Sequence, residues 1–243
     1  MQLTDEEIRE ILIREKKRKR RKQIIRRRIS LAVLLVAIIV LGVGIFINKD
    51  ARVSARGIIF IDPAHGGVDG GSVVGERLEK DDTLRFSLAV KQELEALGFK
   101  VYMSRDKDED IDRDSRGQMA NEKNAQLFVS FHRNKAEEGT GVEIYIPSTN
   151  DEASQLLGNN LMAAFKAQGF EDRGVRIGTL VGSDKDYSEN KYSNMPSCLA
   201  EIGFMQNDND NELFDSNLEA NAKAVAEAIS NTFAELYETD SDE

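Results

Sequence analysis

Apolar residues fall along this chain in two patterns. Short apolar blocks closed by turn residues occupy Ile58–Ile61, Leu127–Phe131, Val142–Ile146 and Ser197–Ile202, and such blocks read as buried strands. Phe99–Ser104 alternates and predicts a further strand, and Val175–Val181 predicts another. Between these blocks apolar positions recur at helical spacing. Phe86, Val90, Leu94 and Leu97 stripe a helix over Asp82–Leu97, with Asp81 or Asp82 as cap and Gly98 as terminator. Ala153, Leu157, Leu161 and Phe165 stripe Asp151–Gln168, and Leu218, Ala222, Val225, Ile229, Phe233 and Leu236 stripe a final helix. Arg113–Asn124 is a weaker helix interrupted by Gly117, while Arg105–Asp112 and the polar stretch up to Asn194 read as loops. Strands alternating with amphipathic helices predict a layered α/β domain.

One apolar run obeys neither pattern. Leu31–Ile47 holds no charged residue, and with its flanks (29–48) it reaches about 30 Å as a helix, enough to span a bilayer. Residues 1–28 carry 12 Lys and Arg against 5 Asp and Glu, whereas the net charge of all 243 residues is −10. The basic block is therefore confined to the N-terminus and the remainder is acidic. Lys16–Arg28 immediately precedes the apolar run, so the positive-inside bias places the N-terminus in the cytoplasm and the rest beyond the membrane. That context explains the basic run without nucleic acid. Val53-Ser54-Ala55 resembles a cleavage site but lies well past an apolar run that exceeds a signal-peptide core, which favours an uncleaved anchor. The expected organisation is a basic cytoplasmic tail (1–28, with Ile8, Ile11 and Leu12 at helical spacing), a transmembrane helix (29–48) and a stalk (49–56). A catalytic domain (57–238) and an acidic tail (239–243) follow. The lone cysteine, Cys198, allows no intrachain disulfide and reads as a small buried apolar residue.

The chemistry concentrates at strand ends. The chain has two histidines, and each follows an apolar strand: His65 in Asp62-Pro63-Ala64-His65-Gly66-Gly67 and His132 directly after Phe131. Pro63 lacks a backbone donor and is expected to stop its strand, leaving His65 in a loop at the mouth of a sheet, where α/β proteins place ligands. Two acids complete the set. Glu79 stands just before the first helix, and Glu201 sits inside the apolar block Leu199–Phe204, where a carboxylate is costly unless partnered or near a metal. Two imidazoles and one carboxylate form a recurrent ligand set of catalytic zinc. The metal brings the pKa of a water to about 7 and polarises a carbonyl, and a second carboxylate can shuttle the proton. Spacing alone leaves open which glutamate would bind and which would act as base.

Taken in order, Asp62–Gly67, Glu79-Lys80-Asp81, Ser130-Phe131-His132-Arg133-Asn134 and Glu201-Ile202-Gly203-Phe204 resemble the N-acetylmuramoyl-L-alanine amidases of the Amidase_3 type. Ser104-Arg105-Asp106, Ala120-Asn121 and Met195-Pro196-Ser197 extend the likeness over Ile58–Phe233. The resemblance implies a mixed β-sheet flanked by helices, one zinc ion on His65, Glu79 and His132, and a catalytic Glu201. It further implies hydrolysis of the amide joining N-acetylmuramic acid to the L-alanine of the peptidoglycan stem. The rival readings are a zinc peptidase cutting the stem peptide and an inactive wall-binding scaffold. Ala64 stands where the family usually has glycine; if the position needs φ > 0, alanine costs of order 1 kcal/mol. Some members carry an inserted helix over the zinc after the strand corresponding to Val142–Ile146. Only Pro147–Asn150 follows it here, so an uncovered site needing no activator is expected. The acidic body offers no electrostatic grip on anionic wall polymers and no wall-binding repeat is visible, so the anchor and short stalk are expected to keep the enzyme near the membrane face. Asn134, Arg116 and Asp69 are further candidates for supporting or substrate contacts.

Overall fold

The computed structural model describes Arg21 and residues 55–149, 151–179 and 185–238. The expected transmembrane helix, the acidic tail and all of the basic tail but Arg21 lie outside the described residues. Among those residues, no helix is long and apolar enough to cross a membrane. The chain divides into two compact units, Met1–Ser54 and Ala55–Glu243, and the second carries the fold described here.

Its centre is a six-stranded sheet in the order β4-β1-β5-β8-β6-β7. The strands are β1 (Ile58–Pro63), β4 (Lys100–Met103), β5 (Leu127–Asn134), β6 (Val142–Ile146), β7 (Asp172–Ile177) and β8 (Ser197–Phe204); β2 (Val73–Val74) and β3 (Arg77–Leu78) form a separate hairpin. All neighbours run parallel except β6 and β8, which are antiparallel. The helices are α1 (Glu79–Ala96), α2 (Ser115–Glu122), α3 (Glu152–Ala167), α4 (Ser188–Lys191), α5 (Asp208–Ser216) and α6 (Leu218–Tyr237). The mixed sheet flanked by helices is therefore present.

Alternation along the strands divides the core. Ile59, Ile61, Leu127, Val129 and Phe131 face the larger cluster, where Phe86 and Val90 of α1, Leu157 and Leu161 of α3, and Val225 and Ile229 of α6 pack. Phe60 and Phe128 point to the other face and meet Ala120 of α2. Burial on both faces is why the inner strands read as continuous apolar blocks. Cys198 is buried in the larger cluster, where burial pushes its thiol pKa up and leaves it inert.

Several boundaries differ from expectation for identifiable reasons. β1 continues through Pro63 because β4 has already ended at Met103, opposite Ile61, so no strand stands there to miss the absent donor. The Pro63 carbonyl instead accepts from Arg105 and Arg116, and the Ala64 N–H donates to Phe131 O. α1 begins at Glu79, with no side-chain cap. Its first N–H groups are satisfied by the preceding loop, Glu79 donating to Ser72 O and Lys80 to Gly70 O. β5 runs past Phe131, so His132 lies within the strand rather than after it. β7 starts earlier than the expected Val175, occupying Asp172–Ile177, and the last two residues of the expected strand, 180 and 181, lie outside the described residues. Gly117 does not interrupt α2; it allows close packing, since a Cβ there would stand 2.8 Å from Glu189 O and Ser193 N. The positive φ near the first histidine falls on His65 (φ 60°) and not on Ala64, so Ala64 carries no conformational cost.

The chain enters this unit through a clamp. Arg56 N–H donates to Gly98 O. Its guanidinium donates to Glu238 at 2.9 and 2.8 Å and to Ser230 Oγ at 2.8 Å, and it lies 4.6 Å above the Phe99 ring.

Candidate metal centre and catalytic site

Three elements deliver the ligand-type side chains. His65 follows β1 in a tight loop closed by reciprocal hydrogen bonds between Gly66 and Asp69. Glu79 is the first residue of α1, and His132 belongs to β5. The loop is fixed from below by Asp62, fully buried, which accepts from Ser104, Ser130 and Arg116. Arg116 also donates to Pro63 O, His65 O and Ile111 O. Its part is therefore to hold the loop that carries His65, away from the reacting groups.

These side chains converge. His65 Nε2 lies 3.2 Å from Glu79 Oε1 and His132 Nδ1 lies 3.1 Å from the same oxygen. One potential donor atom from each of the three residues falls within 4.8 Å of the others. Glu79 is fixed by the Ser72 N–H on Oε2 (2.8 Å) and the Arg133 N–H on Oε1 (3.0 Å). Asp69 Oδ2 lies 2.7 Å from His65 Nδ1, which turns Nε2 toward the cluster, the arrangement in which an outer carboxylate orients a ligating imidazole. Gly71 forms one wall, where a Cβ would stand 2.5 Å from His65 Cδ2 and 2.7 Å from Glu79 Oε2. Only glycine leaves this cradle open.

The electrostatics favour a cation. Burial opposes the charged form of His132, but contact with Glu79 and the charges of Glu201, Glu79 and Glu189 outweigh it and push its pKa up to about 9. His65 is raised in the same sense, burial again being overcome by Glu79. Burial would raise Glu79, yet its contacts with His132 and His65 hold it well below the usual carboxylate range. Two nitrogens and one carboxylate oxygen, gathered where positive charge is stabilised, fit a zinc ion.

Glu201 stands one strand away. It is the register partner of His132, and Glu143 of β6 is in turn its own partner. Its Oε2 is buried and has no hydrogen-bond partner among the described residues. Burial pushes its carboxyl up to about 7, against the pull of His132. His65, Glu79, His132 and Glu201 line one cavity of about 650 Å³, together with Asn134 and Tyr187. Asn134 donates to Glu143 Oε2 (3.1 Å), which also accepts from Tyr145, and Glu143 Oε1 accepts from Arg173 and Arg176. Glu143 escaped the sequence reading although it interrupts the apolar block VEIYI as Glu201 interrupts its own. Glu189, 2% exposed beside His132, sits in a polar stretch that gave no local signal.

A mixed α/β sheet that presents two imidazoles and a carboxylate at its mouth, with an acid on the adjoining strand whose Oε2 has no hydrogen-bond partner among the described residues, defines a hydrolase centre. The particular family follows from comparison with known proteins. The chain belongs to the N-acetylmuramoyl-L-alanine amidases of the Amidase_3 family, whose profile matches residues 59–231, and it is an enzyme of that class. N-acetylmuramoyl-L-alanine amidase CwlM of Bacillus licheniformis is 33% identical over 190 residues, covering 74% of this chain and 72% of the relative. The uncharacterized protein YqiI of Bacillus subtilis (strain 168) is 32% identical over 183 residues, covering 74% and 84%. Among solved structures, the N-acetylmuramoyl-L-alanine amidase AmiC2 of Nostoc punctiforme superposes with a TM-score of 0.65 at 28% identity, covering 73% of this chain and 97% of that one.

Proposed function

We propose that this amidase is zinc-dependent and membrane-anchored, and that it cleaves the amide between N-acetylmuramic acid and L-alanine in peptidoglycan. The observation that carries the reading is the unpartnered, buried Glu201 Oε2 on the strand beside the His65–Glu79–His132 cluster. Those three residues would hold the metal, and a zinc ion there would lower the pKa of a water and polarise the scissile carbonyl. Glu201 accepts a proton from the attacking water and returns it to the departing L-alanine nitrogen, so the C–N bond breaks to a free amine and a lactyl carboxylate. The short connection between β6 and α3 supports a site that works without an activator. The apolar run at 29–48 and its basic flank support a single-pass anchor in the cytoplasmic membrane, N-terminus inside, with the enzyme acting near the membrane face.

Digestion of purified peptidoglycan by the full-length protein tests this reading. New L-alanine amino termini and peptide-free glycan are expected, with loss of both after chelation and recovery with zinc. Cleavage within the stem, or full activity in chelator, would overturn it. For the anchor, protease added outside intact cells should remove residues 57–238 while sparing the N-terminal tail.

A further inference from the structure

His132 presents two nitrogens to two different acids. Its Nδ1 faces Glu79, so Nε2 points across the ring in the opposite direction. That nitrogen is buried without a hydrogen-bond partner among the described residues, and so is Glu189 Oε2. The two residues face each other, with His132 Nε2 3.9 Å from Glu189 Oε1, about 1 Å longer than a direct hydrogen bond. Among the described residues, Arg113 also approaches Glu189, its Nε lying 3.5 Å from the same oxygen on a side chain that is 58% exposed.

Glu189 is held firmly for a residue on a four-residue helix. α2 presses on α4 at Gly117, where no Cβ fits beside Glu189 O. Asn121 donates to Tyr192 O (2.7 Å) and accepts from the Asn194 N–H (2.8 Å), while Asn190 donates to Tyr145 O (3.0 Å). Two separate elements, α2 and β6, therefore fix the backbone on both sides of this buried acid.

We infer that Glu189 is a positioning residue for His132. It favours the tautomer with the proton on Nε2, leaving the Nδ1 lone pair for the metal, and it raises the basicity of the ring. Asp69 does the same for His65, so each imidazole has its own outer carboxylate. The inference rests on the zinc reading above.

The test measures zinc dissociation constants of the full-length protein by chelator competition, together with the thermal midpoint of the metal-free form. Glu189→Ala should bind zinc about 10- to 100-fold more weakly than the wild type. Glu189→Gln should fall between, because its amide oxygen still accepts, and Glu189→Asp should recover most of the affinity. The metal-free midpoint of Glu189→Gln should not fall, since a purely structural role would lower that midpoint and leave affinity unchanged. Wild-type affinity in both Glu189→Ala and Glu189→Gln, while His132→Ala loses zinc, overturns the positioning role and leaves the metal site standing. A wild type that binds no zinc refutes the underlying reading and this one with it.

Discussion

Replacing Glu201 by glutamine should remove turnover and, at the same time, stabilise the metal-free fold above neutral pH. Glutamine has nearly the same shape but cannot take the proton of the attacking water, and loss of general-base catalysis costs about 10²–10⁴ in rate. The stability effect follows from burial. The Glu201 carboxyl rises from its ordinary 4.5 to about 7, and a difference of that size corresponds to roughly 3 kcal/mol. At low pH the group is protonated in both folded and unfolded chains and contributes nothing. As pH climbs from 4.5 the unfolded chain ionises first, so the folded state, which holds the proton more tightly, loses stability through the window up to about 7. Above that window the full penalty remains. Glu201→Gln has no proton to lose, so its advantage should be near zero at about pH 4 and grow to an order of 3 kcal/mol by about pH 8. Denaturant unfolding in the presence of chelator, run at both pH values beside the peptidoglycan assay, measures both effects. A variant that turns over normally, or whose stability gain is the same at both pH values, would refute the reasoning.

Three further outcomes follow from the same geometry. Asp69→Asn should weaken zinc binding about 10- to 100-fold by loosening the hold on His65 Nδ1, read by chelator competition. Asp62→Asn should destabilise the fold at neutral pH by about 3–5 kcal/mol, because Arg116 loses its buried counter-charge. Burial alone would raise the Asp62 carboxyl, yet Arg116, Ser104 and Ser130 hold it below its ordinary value. Its contribution is therefore present at neutral pH and lost as pH falls through the folded value, so acid unfolding of the variant should be shallower. Gly117→Ala should cost about 1–3 kcal/mol by overpacking α2 against α4, measured as a lowered unfolding midpoint.

The inner strands were legible because burial on both faces turns β1, β5 and β8 into unbroken apolar blocks. The acid inside the last of these, Glu201, stood out against that background. α3 was legible to its cap, Asp151, which accepts the Ser154 N–H. Less accessible were features fixed by distant partners. The start of α1 is set by carbonyls of Gly70 and Ser72, which no cap residue announces. The hairpin of β2 and β3 has two residues per strand, too few for any period to show. α4 is shorter than one apolar repeat and is held by contacts from α2 and Tyr145, so neither its existence nor the burial of Glu189 could be read locally. The placement of His132 inside β5 came from pairing with β8 across a shift in register, again a property of the assembled sheet.

The Arg56 clamp bears on how this enzyme can be held. It joins the entrance of the unit to Ser230 within α6 and to Glu238 just after it, so both ends of the described part of the unit (55–238) meet at one pole. β1 then runs six residues to Pro63, placing His65 about 20 Å away at the opposite pole. Either end thus serves as a handle: a tether, a surface attachment or a fused domain at that pole leaves the working mouth facing outward.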